Sequence, residues 1–251
     1  MDFSLSLWTG IFFVGIIAGF FNTIGGGGSL LVLPFLSFLG MDVALVNGTN
    51  RIAVVLQCFA GAETYRRKNV LSLRTALPLA GITTLGSILG TFLAINIDRQ
   101  HLNISVAVLI SLMAVLLVFK PKMWEEQHET RLSKSAVVSI FFAIGIYGGF
   151  IQAGVGFFLT WGLALAAGTD LVRGNAIKMV IVGLYNIVSL AIFYKNGLVD
   201  IPVGLVLAAG SMIGAVIGAK FAVAKGNRVI RWILAVMVFS SAAKMIFDVW
   251  N

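Results

Sequence analysis

Long apolar runs separated by short polar connections dominate the pattern of this chain. About 20 consecutive apolar residues are needed for a helix to cross the hydrocarbon core of a membrane. Two apolar runs, 28–39 and 155–167, are too short to cross alone. The runs that are long enough are residues 5–24, 43–65, 71–96, 101–119, 135–153, 171–194, 199–222 and 228–249. The pattern therefore predicts an all-α integral membrane protein, a helical bundle with eight full transmembrane helices plus two short broken helices.

Each short run follows a glycine-rich break, which is residues 25–28 in one case and Gly154 with Gly156 in the other. Consecutive glycines destabilise a helix, so a short helix should begin directly after each break. The unpaired N–H groups and the positive dipole end of that helix would then lie at membrane depth. Such helix ends bind anions. Close packing of helices through small residues is the alternative explanation of the glycines.

The two halves of the chain resemble each other on either side of the polar connection 120–134. The stretch GIIAGFFNTIGGGG from Gly15 corresponds to GIYGGFIQAGVG from Gly145. Further along, LGSILGTFLA from Leu85 is placed over IGAVIGAKFA from Ile213. This similarity predicts an internal duplication, with a first repeat over 1–122 and a second over 123–251. Together the repeats would form one transport domain.

Basic residues occur in short clusters between the apolar runs. If each short run carries the chain across the membrane, nearly all these clusters fall on one side, whereas re-entrant short runs would divide them between both sides. Because cytoplasmic loops carry an excess of Lys and Arg, the first arrangement is favoured. It makes the halves an inverted repeat with both termini extracytoplasmic. Inverted repeats with broken helices are typical of secondary transporters; a bundle without transport function is the alternative.

Composition agrees with this membrane assignment. Residues of the set AVILMFWYC make up 59% of the chain and charged residues 11%, with a mean hydropathy of +1.00. A soluble domain has about 25% charged residues. The formal net charge of +8 does not indicate nucleic-acid binding, because no continuous basic face exists to follow phosphates.

Two basic residues lie where lipid should surround the chain. Arg51 falls well inside a predicted helix, on one face with Asn47 and Asn50, and Lys178 aligns with it in the second half, near Asn175. A basic residue at a helix centre costs about 2.5–3.5 kcal/mol on insertion scales. These side chains should therefore face the bundle interior or a wet cavity, unless they extend to the membrane surface.

The acidic residues all fall in loops or near predicted helix ends, so no buried carboxylate pair can bind a cation or relay protons. An interior of Arg, Lys, amides and hydroxyls favours an anion. The sequence predicts no metal, no cofactor and no catalytic residues, and it has no GxxxxGK[ST] loop for an ATPase. A membrane-embedded enzyme would need metal-binding carboxylates or a His, Cys or Ser constellation. A non-catalytic scaffold or channel stays open.

The stretch GFFNTIGGGGSLLVLPFLSFLGMDVALVNGTNRIAVV, followed by AETYRRKN, resembles the TauE/SafE family of sulfite and organosulfonate exporters. The resemblance implies movement of small sulfur-containing anions such as sulfite, sulfoacetate or thiosulfate across a bacterial inner membrane, coupled to the proton gradient. An uptake permease or an anion channel would use the same site, so both stay open. The expected partners are such an anion and the lipid bilayer, with a homodimer left open.

The predicted substrate-binding residues combine the breaks with the polar helix faces. A monoanion would be held by the helix ends, and the basic side chains would extend the site to a dianion. These residues are Asn22, Gly25, Gly26, Gly27, Gly28, Ser29, Asn47, Thr49, Asn50, Arg51, Gln152, Asn175 and Lys178.

Overall fold

The computed structural model describes residues 4–96 and 132–250, without the side chains of 234 and 237–250. Within these ranges helices joined by short connections are the regular structure, and no strand occurs. The predicted all-α class is therefore confirmed. The helices are α1 (Leu5–Ile24), α2 (Ser29–Phe38), α3 (Val43–Arg67), α4 (Leu73–Asn96), α5 (Lys134–Phe150), α6 (Val155–Ala167), α7 (Leu171–Lys195) and α8 (Ile201–Trp250).

Five of the described helices are long and apolar enough to cross a membrane, which is fewer than the eight predicted from the apolar runs. They are α1, α3, α4, α7 and the Ile201–Ile233 part of α8. The predicted run 135–153 forms only the 17 residues of α5, because the chain leaves the helix at the second break. The runs 199–222 and 228–249 both lie in α8, on either side of a non-helical residue, Gly226. The run 101–119 lies outside the described residues.

The outside of the bundle is apolar, as lipid requires, and its charged residues at membrane depth lie in the interior. Leu85, Phe92 and Ile217 are at least half exposed, whereas Arg51 and Lys178 are buried. Because hydrocarbon offers no hydrogen bonds, polar groups must find their partners within the bundle. A binding site for a polar substrate would therefore lie in the interior.

Glycines bring α1 and α8 into backbone contact. A Cβ on Gly15 would meet the carbonyl of Leu207, and one on Gly19 would meet that of Ser211. From the other side, the small face of α8 meets the carbonyls of α1 in the same way, as at Gly210. Small residues four apart allow this close approach in membranes. Since the residue numbers rise together along this seam, α1 and α8 run in the same direction.

A second seam of the same kind joins α4 and α5. Gly86 and Gly90 face the carbonyls of Phe142 and Ile146, and Gly149 in turn faces that of Ser87. Here too the numbers rise together, so α4 and α5 run in the same direction. Four helices that carry GxxxG-type faces are thereby packed in two parallel pairs.

Comparison of the two seams corrects the sequence correspondence of the halves. Gly86 packs on Phe142 and Gly210 packs on Phe12. These two phenylalanines are equivalent, because each lies three residues before the corresponding glycines Gly145 and Gly15. The segment GSILG from Gly86 is therefore equivalent to GSMIG from Gly210, not to the glycines that follow Ile213. The sequence correspondence over Leu85 and Ile213 was wrong by one helical turn.

Further contacts give the directions of the remaining long helices. Thr49 meets Asp200 and Ala53 meets Ser211, so α3 runs in the same direction as α8 and therefore as α1. By contrast, Arg51 contacts Asn186 while Gly61 lies near Met179, so α7 runs opposite to α3. Since α1 and α3 run the same way, the segment between them, with α2 in it, carries the chain back.

Candidate binding site at the two helix breaks

The two glycine-rich breaks meet inside the bundle. Gly26, with φ of 102°, is in backbone contact with Gly156, and a Cβ on either residue would overlap the other's main chain. Only glycine combines this positive φ with such a close approach. α2 begins at Ser29 and α6 at Val155. The contact therefore brings the amino-terminal ends of two short helices together at one place.

A small cavity lies at this meeting point. Its volume of about 20 Å³ is the room of about one water molecule. Residues of both breaks, of α3 and of α7 line it, and its walls are mostly apolar. The polar side chains in its lining are those of Asn22, Ser29, Gln57, Gln152 and Lys178.

Lys178 carries the only charge among the described residues that line this cavity. Its side chain is 1% exposed, and Nζ donates to Oδ1 of Asn175 at 2.6 Å. Asn175 is held in turn, because its Nδ2 donates to the carbonyl oxygen of Ile24, the last residue of α1, at 2.7 Å. The ammonium group is thus positioned from behind by an amide that also caps a helix end.

Gln152 lines the same cavity from the second break. It has φ of 68°, a conformation uncommon for a residue with a side chain. Its side chain is 2% exposed, and in the described part of the chain neither Oε1 nor Nε2 has a hydrogen-bond partner. Buried amides are nearly always satisfied, so an orphaned one requires an explanation.

Arg51 is fully buried but does not line the cavity. Nη2 donates to the carbonyl oxygen of Gly149 at 2.6 Å, and Nη1 donates to Oδ1 of Asn186 at 3.0 Å. The guanidinium also lies over the ring of Phe193, with 4.7 Å from Cζ to the ring centroid. The last carbonyls of a helix lack partners within it and attract cations. Arg51 therefore binds the carboxyl end of α5.

Asn47 completes this capping of α5. Its Nδ2 donates to the carbonyl oxygen of Phe150, the last residue of α5, at 2.9 Å. Asn175 caps the end of α1 in the same way, because it donates to the carbonyl oxygen of Ile24. Each half of the protein thus supplies an amide to the helix end that precedes the break in the other half. The polar face of α3 satisfies backbone groups that lipid would leave unpaired.

The first break and α3 are tied together by further hydrogen bonds. Oδ1 of Asn22 accepts from the N–H of Gly28 at 2.8 Å, and Nδ2 of Asn50 donates to Oγ of Ser29 at 3.1 Å. Thr49 lies away from the break, where its Oγ1 accepts from the N–H of Asp200 at 2.9 Å. The bond of Asn22 fixes the start of α2 relative to α1, and the bond of Asn50 fixes it relative to α3.

The structure brings only some of the predicted site residues to the cavity. Five of them line it. Gly25 and Gly27 belong to the loop of the first break, Thr49 is bonded to Asp200 away from the break, and the others cap helices or support the break. The side chain of Gln57 was missed, although it falls at the edge of the polar face of α3, two turns after Asn50. The cavity-lining members of the prediction are Asn22, Gly26, Ser29, Gln152 and Lys178.

A bundle with an apolar exterior, buried cations and two broken helices that meet inside is the arrangement of a membrane transporter. Comparison with known sequences agrees. The family described as "Sulfite exporter TauE/SafE" matches residues 11–245, and the chain belongs to this family. The resemblance seen in the glycine-rich and NGTNR stretches is thereby confirmed.

Relatives of this chain carry transporter names without a substrate. A "Probable membrane transporter protein" of Haemophilus influenzae is 33% identical, over 99% of this chain and 98% of its own length. "Probable membrane transporter protein YfcA" of Escherichia coli K12 is 27% identical, over 95% of this chain and 89% of its own length. No solved structure matches the chain. These names support membrane transport, but they state neither the substrate nor the direction of transport.

Proposed function

We propose that this protein is a secondary transporter, not an enzyme, that moves small sulfur-containing anions such as sulfite, thiosulfate or organosulfonates across the inner membrane, as an exporter. The observation that carries the proposal is the cavity at the start of α2 and α6, with Lys178 in its wall. The family name supports the sulfur anion and the direction.

Electrostatics favour an anion in this cavity. Each helix start contributes the equivalent of about half a positive charge, and Lys178 adds a full one. No carboxylate belongs to the described lining. In an interior of low dielectric constant these charges act more strongly than in water. A sulfonate or sulfite group, whose charge is spread over several oxygens, can accept from backbone N–H groups and from an ammonium at once.

The cavity must expand to admit such an anion. Its present volume suits one water molecule, so the breaks have to separate at the contact of Gly26 with Gly156. Rocking of one repeat against the other around a central site is a mechanism of alternating access. We propose that separation on one side admits the anion and separation on the other releases it.

The proposed topology is an inverted repeat of 1–122 and 123–251, with eight full transmembrane helices and two short ones. Both termini lie on the extracytoplasmic side and the basic connections on the cytoplasmic side. The relative chain directions of two pairs of helices support this topology. α7 runs opposite to its counterpart α3, and α1 and α3 run alike, so that the segment containing α2 returns the chain across the membrane. A homodimer in the bilayer is compatible with this arrangement.

A flux assay tests the proposal. The purified protein is reconstituted in liposomes, and uptake of sulfite, thiosulfate, sulfate and ethanesulfonate is measured with and without a pH gradient. We expect at least one sulfur anion to accumulate against its concentration gradient when the pH gradient is imposed. Equilibration without accumulation would indicate a channel instead, and absence of flux for every anion would contradict transport of sulfur anions.

A further inference from the structure

We propose that the cavity selects a monoanion that also carries a hydrogen-bond donor, with its anionic oxygens at Lys178 and its donor at Oε1 of Gln152. This inference rests on the proposed function and narrows its substrate class, because a dianion without a donor, such as thiosulfate, would fit the site poorly. It combines two observations. Lys178 carries the single charge in the described lining, and the carboxamide of Gln152 in the same lining has no hydrogen-bond partner.

The charge of the site matches one negative charge on the ligand. Lys178 is the only cation in the described lining, and Arg51, the buried cation of α3, is committed to the carbonyl of Gly149 and to Asn186. Arg51 therefore does not extend the site to a dianion, contrary to the expectation from the sequence. A second negative charge would have only the partial charges of the two helix starts, which contribute less than the burial of an ion costs.

The carboxamide of Gln152 requires both a donor and an acceptor on the ligand. Its Nε2 donates and its Oε1 accepts, and neither atom is satisfied within the described chain. An anion that has only acceptor oxygens would satisfy Nε2 but leave Oε1 buried and unpaired. A hydroxyl or N–H group on the ligand removes this penalty, since burying an unpaired acceptor is costly.

The backbone holds Gln152 in this position. The N–H of Ala153 donates to the carbonyl of Ile151 at 2.8 Å, and the N–H of Val155 donates to the carbonyl of Gln152 at 3.2 Å. These bonds close a tight turn on either side of the positive φ. Because the turn is fixed between α5 and α6, the fold directs the side chain of Gln152. A buried polar group in such a site discriminates strongly against a ligand that leaves it unpaired.

A matched pair of sulfonates tests the inference. Both 2-hydroxyethanesulfonate and ethanesulfonate are monoanions with the same carbon chain, and only the first has a hydroxyl; sulfoacetate has a similar size and two negative charges. The full chain in liposomes is assayed for uptake of each. We expect roughly a tenfold preference for the hydroxylated monoanion over ethanesulfonate, the effect of about one buried hydrogen bond. Sulfoacetate should be the poorest of the three.

Variants of the two cavity-lining glutamines assign the preference. Gln152→Met should reduce the ratio of hydroxylated to plain sulfonate to about one, and Gln57→Met, which keeps the carboxamide of Gln152, tests whether the other glutamine of the lining sets this ratio instead. Thermal unfolding of both variants checks that they are folded, and the unsubstituted protein carries the test if either is not. Equal uptake of the two monoanions, the best uptake for sulfoacetate, or a preference lost only in Gln57→Met overturns the inference while transport stands. Uptake of neither monoanion also overturns it. Absence of flux for sulfite and thiosulfate as well means that the proposed function itself fails.

Discussion

Arg51 and Gly149 are joined by a hydrogen bond of 2.6 Å from Nη2 to the carbonyl oxygen, across 98 residues of sequence. The bond connects the middle of α3 to the end of α5, the helix that precedes the second break. A buried cation is thus used to satisfy the end of a helix, and the two halves of the protein are held together near the site.

This arrangement predicts that Arg51→Ala destabilises the protein. The substitution leaves the carbonyls of Gly148 and Gly149 without their charged donor, which should cost about 3 kcal/mol. Arg51→Lys should recover part of the loss, since it keeps the charge but not the planar fork. Thermal unfolding in detergent measures both effects.

Arg67→Ala is the matched control for Arg51, because it removes an arginine from the last turn of the same helix. The Arg67 side chain is 76% exposed and pairs with Glu63 on the surface, where ion pairs contribute little. Its midpoint temperature should therefore stay close to that of the unsubstituted protein. If Arg51→Ala unfolds at the same temperature as Arg67→Ala, the guanidinium does not hold the end of α5.

Lys178→Met should behave in the opposite way, with loss of anion flux and little loss of stability. Replacing the buried ammonium by an apolar chain of similar length removes a desolvated charge, and this gain offsets the loss of its hydrogen bond to Oδ1 of Asn175. Without this charge the cavity retains only the helix ends, and we expect flux to fall about tenfold or more. Liposome uptake and thermal unfolding are measured on the same preparation.

Lys195→Met serves as the comparison for Lys178. It lies in the last turn of the same helix, α7, and is exposed, so its flux should be normal. Normal flux in Lys178→Met would place the anion elsewhere.

Gly156→Ala should impair anion binding without changing any charge. Its Cβ would overlap the backbone of Gly26, and overpacking of this kind costs about 1–3 kcal/mol. Because the starts of α2 and α6 would be displaced, we expect weaker stabilisation of the variant by added anion. Gly81→Ala is the control, since its Cβ would meet no atom within 4 Å and alanine favours a helix. Equal stabilisation of both variants by the anion would show that the contact does not shape the site.

Cysteine labelling tests the predicted orientation of the membrane helices. In a Cys58→Ala background, Ser4→Cys should react with an impermeant reagent from the extracytoplasmic side and Glu126→Cys from the cytoplasmic side. Cys58 itself is buried, so its removal affects labelling little. Glu126 lies outside the described residues, and its side of the membrane is a prediction of the charge pattern. Labelling of both positions from one side would contradict the inverted repeat.

The internal correspondence of the halves shows a limit of sequence reasoning. Glycines recur every four residues in both seams, so sliding one half by four residues again places glycine over glycine. Only the contacts of Gly86 with Phe142 and of Gly210 with Phe12 decide between these alignments. The sequence also leaves the direction of the short helices open, because their position after a break does not show which way the chain runs. The proposed site residues themselves stay predictions.

The sequence by itself determined the membrane class, the family and the positions of the breaks. Apolar length is a local property, and α1 accordingly covers Leu5–Ile24, as its apolar run predicts; glycine clusters act locally too, so α2 begins at Ser29. The tertiary structure alone decided the use of the two buried cations. Burial tells that Arg51 and Lys178 need partners, but those partners come from helices distant in sequence. Packing commits Arg51 to the carbonyls that end α5 and leaves Lys178 in the wall of the cavity.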